Sequence, residues 1–168
     1  MVIKLRVFTF KNDLEAWRFG GTYEAETGNP PIKHSTFNNG SLQANVKWLA
    51  DKGWSEVKLA RQVEDMSDYI KVSFEMYVPV AGLDNSGYLK PFFALNWEKI
   101  GLGEFDTKVA DAERVEIDGE EYIKIEVSKE YEKRNEKNEL EIGLVGSNLD
   151  YEGPVYIDNV RLIKKSYQ

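Results

Sequence analysis

An all-β fold, an antiparallel β-sandwich of jelly-roll type, is what this sequence predicts. Three observations carry that prediction. Apolar residues alternate with period two along much of the chain, and the alternating runs recur about every ten residues with turn residues between them. No long segment shows the period of an amphipathic helix, so at least seven short strands must cover each other in two layers. The 168 residues read as one domain over positions 1–168, long enough to bury a core without a disulfide or metal staple.

The elements follow in order. Met1 runs straight into the apolar Val-Ile-Lys-Leu-Arg-Val segment with no signal-peptide pattern, as in a module cut from a longer chain. Residues 13–19 suggest a helical turn, and Pro30-Pro31-Ile32-Lys33-His34-Ser35 reads as loop. Residues 41–48 form a strand with Leu42, Ala44, Val46 and Trp48 on one face. Another covers 56–59, and a third covers 70–78, where Ile70, Val72, Phe74, Met76 and Val78 alternate with polar partners. Pro79 and the Gly82-Leu83-Asp84-Asn85-Ser86-Gly87 cluster end it. The run 89–97 is the next strand, and alternation groups Trp97 with Phe93 and Leu95. Asp118-Gly119 marks a hairpin turn before a strand at 122–127. Residues 128–138 carry a helix-like charge spacing with Ser128 as N-cap, read as a short helix or polar crossover. Strands at 140–145 and 155–163 complete the set.

Composition excludes several functions. With 22 basic against 29 acidic side chains, the net charge of −7 disfavours nucleic acid and membrane surfaces, which both demand excess Lys and Arg. Cysteine is absent and His34 is the single histidine, so thiol catalysis and Cys-rich zinc sites are out. The 30% charged fraction, rich in Glu and Lys, hints at a thermophilic source.

Paired carboxylates could serve a small jelly-roll glycoside hydrolase, and Glu56, Glu64, Glu75, Glu98 and Glu141 are sheet candidates. Among 29 acids, however, a pair on one face is expected by chance. The tryptophans say more. Trp48 continues a core face, whereas Trp54 alternates with Glu56 and Lys58 on the polar side of its strand. Trp17 and Trp97 are the other two candidates for exposure. An indole packs on the C–H face of a pyranose, and the sugar hydroxyls then need planar polar partners. Gln43, Asn45, Arg61, Gln62, Asn96 and Asn148 are the candidates. A protein-interaction sandwich using the same aromatics is a further alternative. Asp158 interrupts the apolar run of Val155-Tyr156-Ile157-Asp158-Asn159-Val160, where it needs a hydrogen-bonding or cationic partner. Calcium would satisfy it, with oxygens from the 9–13 and 38–40 segments.

Phe8-Thr9-Phe10-Lys11-Asn12-Asp13-Leu14-Glu15-Ala16-Trp17, Gly40-Ser41-Leu42 and Val155-Tyr156-Ile157-Asp158-Asn159-Val160 together resemble calcium-binding jelly-roll carbohydrate-binding modules. Gly53-Trp54-Ser55-Glu56 and Phe92-Phe93-Ala94-Leu95-Asn96-Trp97 are most similar to family 27, the mannan-binding modules of bacterial β-mannanases. The resemblance implies a non-catalytic, extracellular module, covalently linked to a catalytic domain, that binds β-1,4-mannan, galactomannan or glucomannan. It further implies stacking by Trp17, Trp54 and Trp97, and a structural calcium held by Asp158 with Thr9, Lys11 and Asn38. Related modules often carry an acid near the position of Lys11. A lysine cannot supply that carboxylate, so a backbone carbonyl or water must replace it.

Overall fold

In the computed structural model of the chain, which describes residues 2–23, 26–132 and 139–166, two antiparallel sheets face each other across one apolar core. The strands are β1 (Val2–Phe8), β2 (Arg18–Tyr23), β3 (Glu26–Ser35), β4 (Ser41–Trp48), β5 (Ser55–Gln62), β6 (Lys71–Pro79), β7 (Tyr88–Leu95), β8 (Glu98–Ile100), β9 (Thr107–Lys108), β10 (Arg114–Ile117), β11 (Glu120–Glu130), β12 (Glu139–Ser147) and β13 (Tyr151–Ser166). The first sheet runs β10-β11-β6-β13-β4-β3, and β1 also pairs with β13. The second runs β2-β5-β12-β7-β8, and β9 also pairs with β7.

The alternating residues supply the core. Leu42, Ala44, Val46 and Trp48 of β4 and Val72, Phe74, Met76 and Val78 of β6 point inward from the first sheet. Val57 and Leu59 of β5, Leu89, Phe93 and Leu95 of β7, and Leu140, Ile142 and Leu144 of β12 meet them from the second. The opposite parity on each strand therefore faces outward, and this parity sorts the candidate site residues.

Three local expectations are corrected. No helix forms at 13–19: a single turn, closed by the Trp17 amide donating to the Leu14 carbonyl at 2.9 Å, delivers the chain into β2. Residues 128–130 continue β11 as strand, because Ser128, Lys129 and Glu130 pair with Ser73, Val72 and Lys71 of β6. The ladder overrides the charge spacing there, and residues 133–138 of that expectation lie outside the described residues. His34 belongs to β3, not to a loop. In this strand Pro30 and Pro31, which lack an amide hydrogen, fall within the register shift between Thr27 and Ile32 at the sheet edge.

Candidate functional site

On the outer face of the second sheet, β5 contributes Glu56, Lys58, Ala60 and Gln62, β12 contributes Glu141, Gly143 and Val145, and β7 contributes Lys90, Phe92 and Ala94. Gly143 lies opposite Phe92, and a Cβ at Gly143 would fall 2.1 Å from the phenyl ring. The ring therefore lies over the glycine. Lys99 of β8 reaches above it, with its Nζ 5.0 Å from the Phe92 centroid and 5.8 Å from that of Trp54. The same ammonium donates to Glu56 Oε1 at 2.6 Å. Since β7 and β12 lie between β8 and β5, the pair closes over the middle of the sheet. Phe92 is fully buried on an outward face for this reason.

Two carboxylates are buried here. Glu56 is held by Lys99, with Lys58 at 3.8 Å. Glu141 is pushed above the ordinary carboxylate range, chiefly by burial, against the pull of Lys58.

Trp97, in the turn that follows β7, is the most exposed of the large hydrophobic side chains among the described residues. The strand ends at Leu95, and Leu95 pairs with Glu98 across a two-residue turn in which Asn96 and Trp97 have φ of 50° and 71°. This left-handed geometry suits Asn-Gly; a tryptophan at the second position is disfavoured. The turn takes Trp97 out of the alternation that grouped it with Phe93 and Leu95, and leaves it 78% exposed. Asn96 anchors the turn, its amide donating to the Glu139 carbonyl at 3.1 Å while its Oδ1 accepts from the Glu139 amide at 3.3 Å.

Of the other expected sugar contacts, Trp54 enters β5 on the outer face, partly exposed beside Lys99. Gln62 is exposed at the far end of β5, opposite Glu139, which is bridged to Arg18 at 2.6 Å. Asn148 stands beside the corner before Trp54, near Gly53. The remaining four are elsewhere. Trp17 is 4% exposed and packs edge-on against Phe8 and Phe10, with centroids 5.6 and 6.3 Å away. It offers no open ring face, because the 13–17 turn folds it into the core. Arg61 has the parity of Val57 and Leu59; its Nε donates to the Glu15 carbonyl at 2.6 Å, so it pins that turn. Gln43 and Asn45 lie on the outer face of the first sheet, Gln43 donating to Asn45 at 2.8 Å, on the opposite side of the sandwich. Sequence reading missed Phe92 and Lys99. Adjacent phenylalanines in one strand were the available signal, since only one of the two can face the core.

The segments that carry the expected metal residues approach one junction on β13. Along one edge of β13, β4 pairs with residues 151–157 and β1 with residues 160–166, so Asp158 and Asn159 fall at the junction. Asp158 is 4% exposed and faces carboxylates: Glu75 is its cross-strand partner, and Glu15 is close enough to repel it. Burial first, then these charges, push it up to about 7, although the Asn159 amide donates to it at 2.7 Å. The 9–11 and 38–40 segments meet beside this junction, so closely that a Cβ at Gly40 would come 2.3 Å from the Phe10 carbonyl oxygen. Phe10, Asn38, Asn39 and Asn159 all have positive φ, so the backbone turns sharply in each of these segments. A hard divalent cation would relieve a buried acid among like charges, although the Phe10 carbonyl already accepts from His34 at 2.7 Å and no group of three or more acidic or histidine side chains forms a metal cluster among the described residues. Thr9 and Lys11 are exposed, and a lysine side chain has no oxygen to offer a cation.

A β-sandwich with tryptophan and the Glu56–Lys99 pair on one sheet has the make-up of a binding module. Residues 2–165 match the family model described as carbohydrate binding module 27, and the chain belongs to that family. It is therefore a non-catalytic module, and the hydrolase alternative falls. Among solved structures, TmCBM27, described for specific mannan recognition, is 36% identical with a TM-score of 0.90, covering 99% of this chain and 100% of that one. CBM27-1 of Caldicellulosiruptor saccharolyticus, solved in complex with mannohexaose, shows 21% identity and a TM-score of 0.72, covering 95% and 96%. A CBM28 described as specific for non-crystalline cellulose shares the fold at 15% identity and a TM-score of 0.64, covering 88% of each chain. A comparison with curated protein sequences gave no match.

Proposed function

We propose that this module binds β-1,4-mannan, galactomannan or glucomannan along the outer face of the second sheet. Trp54 and Trp97 stack on pyranose rings, the Glu56–Lys99 pair engages hydroxyls, and Gln62, Asn96 and Asn148 line the margins. The observation that carries the reading is Trp97, held 78% exposed in a turn geometry that disfavours it. Backbone strain of this kind persists where a site uses it. The similarity to modules described with mannan and mannohexaose supports the choice of ligand.

In this reading the module is joined to a secreted β-mannanase, from a thermophilic source in keeping with the Glu- and Lys-rich surface, and raises the local concentration of enzyme on the polymer. A structural calcium joins Asp158 to the carbonyls of Thr9, Lys11 and Asn38. The ion would neutralise the buried carboxylate and tie the loops that meet at β13.

Affinity electrophoresis in gels containing galactomannan, glucomannan, xylan, β-glucan or no polymer tests the proposal. Retardation by the mannans, lost in a folded Trp54→Ala variant, is expected. Retardation by another polymer alone would replace the ligand, and migration unaffected by any polymer would reject a polysaccharide site.

A further inference from the structure

We propose that Tyr88 is an additional sugar-stacking platform beside Trp54, two strands across the same face; the inference rests on the carbohydrate reading above. The register places it there. Ser147 pairs with Tyr88, and Ser55 pairs with Gly146, so one step further Trp54, Ser147 and Tyr88 share a row on the outward side. Tyr88 is 39% exposed, one of four large apolar side chains that stand out on the described surface, and Trp97 is another. These two lie at opposite ends of β7, which spans Tyr88–Leu95. Seven steps at about 3.3 Å each separate the strand's ends by roughly 23 Å. A linear glycan lying along the strands would meet aromatic rings at both ends of that path.

The surroundings hold Tyr88 in place. Its backbone pairs with Ser147 on one side and Lys108 on the other. Gly87 sits so tightly against the next strand end that a Cβ would come 2.4 Å from the Ser147 carbonyl oxygen. Lys90 Nζ lies 5.6 Å from the tyrosine centroid and is itself fixed by Asp106 at 3.0 Å. A tyrosine ring has only two side-chain torsions to fix, so it loses little freedom when a ligand packs on it. The neighbouring ammonium supplies donors for a sugar hydroxyl at the same subsite.

Calorimetric titration of wild type, Tyr88→Ala and Tyr88→Phe with mannotriose and mannohexaose tests this. Tyr88→Ala should weaken mannohexaose about tenfold, the scale of one aromatic contact, and alter mannotriose binding far less. Tyr88→Phe, which keeps the ring, should bind like wild type. Wild-type mannohexaose affinity in folded Tyr88→Ala overturns the subsite alone. A wild-type protein that binds neither sugar overturns the mannan reading and the subsite with it. Should the alanine variant not fold, the Tyr88 ring resonances of wild type decide the matter. A shift on adding mannohexaose supports the subsite, and silence while the Trp54 indole shifts overturns it.

Discussion

Trp17 and Trp97 show how one residue type takes opposite roles from backbone context. Trp17, 4% exposed between Phe8 and Phe10, is core. Trp17→Ala should cost ~3–5 kcal/mol of stability, measured by denaturant unfolding, because its cavity cannot collapse fully. A loss below about 1 kcal/mol, with mannan affinity abolished, would return Trp17 to the binding face. Trp97 should behave inversely. Its φ of 71° is natural for glycine, so Trp97→Gly relieves strain while removing the exposed ring. The expected variant melts no lower than wild type yet is barely retarded by galactomannan. Retained retardation would remove Trp97 from the proposed site.

At the scale of elements, the contact between β12 and β7 positions the proposed binding face. Gly143 is the residue that lets the Phe92 ring lie flat, and the ring in turn supports Lys99 and, through it, Glu56. Gly143→Ala would drive a methyl into the ring, and an overpacked contact of this kind costs ~1–3 kcal/mol. The displaced ring should also disturb Lys99, so mannan affinity and thermal stability should fall together. A variant that loses stability with unchanged affinity would show that the Phe92–Lys99 stack plays no part in recognition. The strand pattern made β4, β6 and β12 legible from alternation. The short partners β8, β9 and β10 were not legible, since two to four residues carry no measurable period.

For the molecule as a whole, the junction on β13 is where distant parts of the chain converge. Residues 9–11, 38–40 and 158–159 come from the beginning, the first third and the end of the sequence. If calcium joins them, verified chelation should lower the melting temperature by several degrees, roughly what 1–3 kcal/mol produces in a domain of this size. Asp158→Asn should remove that dependence, because a neutral amide has no charge to offer the ion. Equal melting curves for wild type with and without calcium would discard the metal. Mannan retardation should survive chelation, since the proposed binding face lies on the other sheet.

The sequence by itself determined the two-layer architecture, because period-two alternation leaves each strand one apolar face and water forces those faces together. It also determined that Trp54 faces outward and that Asp158 sits within an apolar strand, since both follow from counting along one strand. Tertiary structure decided everything that depends on where a strand ends or which sheet it joins. The turn at Asn96-Trp97 ends β7 two residues early and swings Trp97 out, whereas the 13–17 turn folds Trp17 in. Gln43 and Arg61 have suitable chemistry, but sheet order places one on the opposite face and strand parity turns the other toward Glu15. Lys99 and Glu56 are 43 positions apart and meet only because the sheet brings β8 and β5 within reach. Local spacing cannot encode such a meeting; it is set by the free energy of closing the whole core.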